Sequence, residues 1–359
     1  MYKNTTEPGL VLPQDTPVET ITRTFRSRFT NALDRTGIFK FIAHTHTEDL
    51  LVLNYHSILE HQYPQPFRYH HTTGEFAAHL EWLGRNCEPV GLDGVRKWLE
   101  GQWTGSKPPA LITFDDGYRS SATIAADLLS RKGMPAVFFL STDYIGRDRV
   151  LWPDVLFARI LAWTSGTLRL PEGTTATVPE PGERRVALAF RVLQSRKDSP
   201  EEQRLEYLEY LAGETPAVDV KLAPEVQDFM SWDDARDLVQ RGFELGSHTV
   251  THPILSRVSS QQLRRELVES RKKVEAETGS RCIAIAYPNG SPRDYNPEIL
   301  QAVEEAGYEL GFIVSGRWSR RPVERLAIDR ITPPGHASAS TFALHASGAR
   351  SMSNLRSAA

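Results

Sequence analysis

Only two cysteines, Cys87 and Cys282, stand among 359 residues. That count excludes a disulfide framework and fits a reducing compartment. Both lie in segments that read as packed, Cys282 just ahead of an apolar strand, so both are expected to be buried free thiols. Long apolar runs are lacking as well. None approaches the roughly 18–20 residues that cross a bilayer, and no membrane span is expected. The N-terminus MYKNTTEPGLVLPQDTPVET has no charged start followed by an apolar stretch, so it does not read as a secretory signal. A cytoplasmic chain is the direct expectation, with a secreted or periplasmic one left open if the chain is processed. Nor is there an excess of one charge. Lys and Arg number 42 and Asp and Glu 45, a formal net charge of −3. With no basic stripe or acidic tail, nucleic acid and anionic membranes are poor partners. No internal repeat is evident.

What the chain does have is the balance of a globular protein, 40% hydrophobic and 24% charged residues, enough to bury a sizeable core. Residues 1–47 read as a polar N-terminal arm with one short helix. Leu50–Tyr55 (LLVLNY) reads as a buried strand ending at His56. Helical spacing of Phe76, Leu80 and Leu83 predicts a helix over Thr73–Asn86, with another over Gly94–Glu100. Pro109–Phe114 (PALITF) is a strand running into Asp115-Asp116-Gly117-Tyr118. A helix over Ser121–Arg131 closes at Gly133, and Ala136–Leu140 is the next strand. Strand, helix and strand in succession indicate a parallel α/β fold. Residues 143–229 change character, with Gly, Thr and Pro between charged helical segments, and read as a mostly helical insertion. The α/β rhythm then resumes with a strand at Phe243–Gly246. A helix starts at Ser259 with Gln262 in capping-box position and stops at Gly279. A strand over Cys282–Tyr287, a helix over Pro297–Ala306 and a strand over Leu310–Val314 follow. The tail, residues 336–359, is Ser- and Ala-rich and is expected to end loosely.

Two features carry chemistry. Thr113–Tyr118 (TFDDGY) puts two adjacent carboxylates at the C-terminal end of a buried strand, where active-site groups of parallel α/β folds gather. One carboxylate can hold a cation while the other takes a proton; read alone, the segment equally fits a solvated turn. Ser247–Pro253 (SHTVTHP) places His248 and His252 four residues apart. Pro253 moves the pair out of a helix and onto a loop or a single turn. With Asp116 they make a two-His, one-carboxylate set that leaves positions open for water and substrate.

TFDDGY followed far downstream by SHTVTHP resembles the first two motifs of the polysaccharide deacetylase family, the NodB-homology domain or carbohydrate esterase family four. Ala284–Gly290 (AIAYPNG) is similar to its third motif, and the resemblance spans about residues 48–333. It implies a polysaccharide deacetylase domain over 48–335 as a distorted (β/α)7 barrel of NodB-homology type, with a helical insertion at about 143–229. It also implies metal ligands Asp116, His248 and His252 for one divalent ion, with zinc the first choice and cobalt, nickel or iron as alternatives. Asp115 takes the role of base and the backbone N–H of Asn289 that of oxyanion donor. The implied activity removes N-acetyl groups from an N-acetylhexosamine polysaccharide or oligosaccharide in exopolysaccharide metabolism, with an N-acetylated glycan as partner.

The chain departs from the family pattern at two points. Ala286 stands where the third motif often opens with an Arg that orients the base, and Arg330 is the candidate substitute, reaching Asp115 from another strand. The late Leu-x-His motif is not clearly present; His336, in a Pro-Pro-Gly-His turn, is the candidate acid ahead of His345. His56, Tyr118, Tyr287 and Trp152 are candidate substrate-binding residues. His44, His46, His61, His70 and His71 read as surface residues, and Trp232 as a core or near-core residue that begins a helix. Two other readings compete: a related C–N hydrolase acting on a small cyclic amide or formamide, and a non-catalytic carbohydrate-binding protein on the same fold. The intact metal set counts against the first, and the retention of Asp115 against the second.

Overall fold

The structure is a computed structural model that describes residues 30–62, 70–164, 166–221, 224–335 and 338–349. Most of the N-terminal arm and His336 lie outside the described residues. The chain forms two compact units: a smaller one holding Val150–Ala223 and a larger one holding the described residues on either side.

Seven strands organise the larger unit: β1 (Leu51–Tyr55), β2 (Pro109–Phe114), β3 (Val137–Leu140), β4 (Glu244–Ser247), β5 (Ala284–Ala286), β6 (Leu310–Val314) and β7 (Ile328–Arg330). Each pairs in parallel with the next in that order. β7 returns to β1 through the Asn54 amide on the Ile331 carbonyl and the Ile331 amide on the Val52 carbonyl, at 2.9 and 2.8 Å. The sheet is thus nearly closed into a barrel, with every C-terminal strand end at one rim. A two-residue strand, Glu88–Pro89, adds to the edge of β2.

Strands buried on both faces are apolar throughout rather than alternating, as in the fully buried Pro109–Phe114. The two faces still differ, because side chains alternate along a strand. Val52, Leu111, Phe139, Ala286, Phe312 and Ile328 share one buried cluster with Trp98 and Val95 of the helix Leu92–Leu99. Successive residues on that face are Leu111, Thr113 and Asp115 on β2, and Ile328 and Arg330 on β7. Along both strands the interior passes from apolar to charged towards the rim. Gly246 on β4 makes room for this filling, since a Cβ there would lie 2.4 Å from the Phe139 ring.

Helices connect the strands. Thr72 and Glu75 form a reciprocal capping box before the helix Thr73–Asn86. The helix Ser260–Thr278 opens with the Ser259 hydroxyl accepting the Gln262 amide, without the return bond, and ends at Gly279 in the left-handed region. The expected helix after the double Asp begins with a π turn, Ser121–Ala125, before Ala126–Lys132. Trp232 opens the helix Trp232–Gln240 and is half-buried at the edge of the core.

Other expectations are corrected. His70 and His71 are buried, because His70–Thr72 is a short strand paired in parallel with Ser57–Leu59. His71 packs edge-on to Tyr55 and His79. His46 is also buried, stacked on Trp318 and bonded to Asp49. The tail does not simply end loosely: Ala339–Ala346 is a helix capped by Ser338, with Phe342 stacked on His79 at 3.8 Å. Both cysteines are free and buried.

The smaller unit has three helices, Trp152–Leu161, Glu183–Lys197 and Glu201–Glu214, and an antiparallel pair, Thr167–Arg169 with Thr175–Thr177. Its buried Arg185 donates to the carbonyls of Leu161, Trp163 and Pro179.

Candidate active site

The double Asp continues β2 past its last paired residue. The Asp115 amide still donates to the Tyr55 carbonyl at 2.9 Å, so Asp115 keeps strand geometry and turns its carboxylate into the barrel. There Arg330 donates twice, Nη1 to Oδ1 at 2.7 Å and Nη2 to Oδ2 at 2.9 Å. Arg330 is fully buried and also contacts Thr113 Oγ1. Such a two-point pair fixes the carboxylate plane as well as its position.

Asp116 follows at φ 72°, and Gly117 at φ 89°. This break in strand geometry sends two adjacent carboxylates in different directions. Gly117 has a second reason to be glycine: a Cβ would sit 2.6 Å from Ile145 Cδ1.

The histidine side is a turn after β4. Thr249 and His252 both take left-handed backbone, at φ 68° and 59°. The turn holds itself with the Thr249 amide on Ser247 Oγ and the His252 amide on Thr249 Oγ1. The helix Ser260–Thr278 adds a second support, the buried carboxylate of Glu266. Its Oε2 accepts the Val250 and Thr251 amides at 2.7 and 2.9 Å, and its Oε1 accepts the Thr251 hydroxyl at 2.7 Å. The turn brings His248 Nε2 and His252 Nε2 to 3.4 and 3.3 Å from Asp116 Oδ1. One ligand atom from each of the three residues lies within 4.8 Å of the others.

The donor set suits a divalent ion. His248 Nδ1 donates to the Ala286 carbonyl at 2.7 Å, which fixes the ring and turns Nε2 towards Asp116, as outer partners of metal-bound imidazoles do. Three ligands from two elements leave coordination positions for water and substrate. Among the described residues, the four non-glycine residues with positive φ are Asp116, Thr249, His252 and Asn289. Each costs on the order of 1–3 kcal/mol, and all four belong to the three turns that carry the candidate ligands, base and oxyanion donor.

The third turn follows β5. Asn289 (φ 61°) and Gly290 (φ 62°) reverse the chain. Asp294 ties the turn down, its Oδ2 accepting Asn289 Nδ2 at 2.5 Å and the Ser291 amide at 2.8 Å. A Cβ on Gly290 would lie 2.9 Å from the Tyr287 carbonyl.

Charges reinforce this geometry. Burial by itself raises the Asp115 carboxyl, but Arg330, His248 and His56 outweigh it and hold the group below its ordinary range. Asp116 is also opposed by burial, yet its bonds to His248 and His252 and the charge of His56 keep it well below that range. Burial disfavours a charged His248; Asp115 and Asp116 prevail and raise it. Both carboxylates are therefore held in their ionised form, and their charge favours the protonated form of His248.

Of the other sequence-derived candidates, half-buried His56 follows β1 directly, one residue past the register pair Tyr55 and Phe114. Its charge acts on both Asp115 and Asp116. Tyr118 is buried and stacks on Phe229 at 5.0 Å. Tyr287 is buried with its hydroxyl donating to the Leu326 carbonyl. Trp152 belongs to the smaller unit, with the Arg204 guanidinium 4.2 Å over its ring. His345 lies on the helix Ala339–Ala346. Glu266 and Asp294 escaped the sequence reading. The signal for Glu266 was present: it holds a core position of an amphipathic helix, among Leu263, Leu267, Ser270 and Val274, where a carboxylate needs partners. Asp294 lies in a loop and offers no such periodicity.

The polysaccharide deacetylase family model matches residues 103–311, more than half the chain. The chain belongs to the polysaccharide deacetylase family. It is a hydrolase of amide C–N bonds, and its barrel is of the NodB-homology type. It is 27% identical over 269 residues to YxkH of Bacillus subtilis, a candidate polysaccharide deacetylase, covering 75% of this chain and 67% of that one. Among solved structures it resembles the Streptococcus pyogenes deacetylase PplD in complex with acetate, at 16% identity and TM-score 0.54, over 82% of this chain and 96% of that one. It also resembles IcaB from Ammonifex degensii, at 18% identity and TM-score 0.53, over 83% and 97%. At these identities the two structures speak for the fold alone. Among the described residues, no helix is long and apolar enough to cross a membrane.

Proposed function

We propose that this chain is a divalent-metal-dependent N-deacetylase of an N-acetylhexosamine polysaccharide or oligosaccharide, acting in exopolysaccharide metabolism. The observation that carries this reading is the division of labour between neighbouring carboxylates: Asp115 faces a guanidinium and Asp116 faces two imidazoles. Asp116, His248 and His252 would hold the ion, with zinc the first choice and cobalt, nickel or iron the alternatives. When bound it supplies Lewis acidity, polarising the acetamide carbonyl and acidifying water.

Asp115, ionised and oriented by Arg330, accepts a proton from the attacking water. Its low basicity suits a water already acidified. The backbone N–H of Asn289 meets the developing oxyanion, on a turn that Asp294 anchors. The new C–O bond forms, the C–N bond breaks, and the nitrogen needs a proton to leave as an amine. His56 is the imidazole beside both carboxylates and is proposed as that donor; His336 is the alternative. Tyr118 and Tyr287 would act as packed walls of the site, while Trp152 is buried under the Arg204 guanidinium within the smaller unit.

Purified protein supplied with zinc or cobalt should contain about one ion per chain and release acetate from an N-acetylated glucosamine oligomer. Failure to release acetate from any N-acetylated glycan, with the ion bound, would sink the reading. His56→Asn and His336→Asn divide the proton donors: the true donor should lose roughly 100-fold or more in rate while retaining its metal.

A further inference from the structure

Glu266 is a costly residue for its place. It is 2% exposed, and a buried carboxylate must be neutralised or fully hydrogen-bonded. Among the described residues, no Arg or Lys donates to it. All three donors come from residues 250 and 251, midway between His248 and His252. The carboxylate therefore holds the backbone and one side chain of the segment that spaces the two imidazoles.

Its own helix is anchored there too. The Ser270 hydroxyl donates to the Glu266 carbonyl at 2.6 Å and meets Ser247 Oγ at 2.7 Å. Ser247 Oγ in turn accepts the Thr249 amide. Tyr308 closes the far side, its hydroxyl donating to the Leu267 carbonyl. The turn is thus tied to one helix at Ser247, Val250 and Thr251. Thr249 and His252 meanwhile hold left-handed backbone, a conformation that persists only where the surroundings impose it.

We propose that Glu266 is a positioning residue for the metal site: it keeps the turn in its left-handed conformation, so that His248 and His252 present Nε2 to one ion before that ion arrives. The assignment rests on Asp116, His248 and His252 being the ligands. Its contribution acts through preorganisation, so its loss falls on metal affinity and on the metal-free turn rather than on the ligands themselves.

The test compares Glu266→Ala, Glu266→Gln and Thr251→Val in the full chain. Cobalt and zinc affinities are measured against a chelator, the cobalt absorption spectrum is recorded, and amide hydrogen exchange of residues 248–252 is followed without metal. Glu266→Ala should bind metal roughly 10–100-fold more weakly, the range for loss of an outer partner of a metal ligand. It should also shift the cobalt spectrum and raise exchange at residues 250 and 251. Glu266→Gln should recover most of the affinity, since its amide oxygen can accept both backbone bonds while its NH2 meets the Thr251 hydroxyl. Thr251→Val, which leaves the carboxylate and both amide bonds in place, should lose less than Glu266→Ala. Wild-type affinity, spectrum and exchange in Glu266→Ala would overturn the proposal. If Glu266→Ala does not fold, the order of Thr251→Val and Glu266→Gln against wild type decides, and wild-type affinity in Thr251→Val overturns it. A wild-type chain that binds no metal defeats the functional reading instead, which keeps the two failures apart.

Discussion

The carboxylate end of the site and the imidazole end are built by opposite means. Asp115 is held through its side chain by a buried cation, Arg330, which lies on the last strand of the barrel. The histidine turn is held through its backbone by a buried anion, Glu266, on a flanking helix. The difference follows from what each end must do. A carboxylate in a barrel interior needs its charge compensated as well as its plane fixed. Imidazoles that are to bind a cation must be steadied without a competing positive charge, and an acceptor for backbone amides does that.

Removing a candidate ligand should have the largest effect. Asp116→Ala or His248→Ala should weaken metal binding by more than the roughly 10–100-fold cost of losing an outer partner, to the point that purified protein retains no ion by elemental analysis. Next in size is Arg330→Met. It strands the Asp115 charge in the barrel and should cost about 3–5 kcal/mol in denaturant unfolding. Asp115→Asn in the same chain should restore much of that loss, because no charge is left unpaired. Arg330→Met should also raise the Asp115 carboxyl, since burial then acts with less opposition.

Gly117→Ala probes the turn that separates the carboxylates. Strain at φ 89° together with the approach of Ile145 should cost on the order of 2–3 kcal/mol. Ile145→Ala should relieve the steric part and leave the backbone part. The smallest effect is that of pH. A proton on His248 competes with an ion bound there, so metal affinity should fall by up to about tenfold per unit decrease in pH for each proton displaced. The decline should begin above the ordinary imidazole range, because His248 is raised. In metal-free protein the same group favours folding below its unfolded pKa of about 6.5, an effect lost as pH rises through the higher folded value. Asp116, lowered, favours folding above about 3.9, an effect lost as pH falls through its folded value. Thermal unfolding of the metal-free chain across pH checks both signs.

Much of this site was readable from sequence because its parts are local. TFDDGY and SHTVTHP each pack ligand types, spacing and turn residues into a few positions, and PALITF could only be a buried strand. What was less legible is what long-range contact decides. His70 and His71 look polar in isolation, but a parallel partner at Ser57–Leu59 buries them. Glu266 reads as one charge among many on its helix until the helix is seen against the turn it supports. Arg330 lies beyond the residues matched by the family and 215 positions from Asp115; its reach to Asp115 is read through the resemblance rather than from any local pattern, and the near-closure of β7 on β1 makes the contact.

His248 is oriented by the carbonyl of residue 286, not by its side chain. Every amino acid carries a carbonyl, so that position can change its side chain without disturbing the imidazole. The tautomer of His248 and the identity of the residue beside it are separate variables. A guanidinium can thus be supplied from one strand or another while the candidate metal cradle of Asp116, His248 and His252 stays as it was.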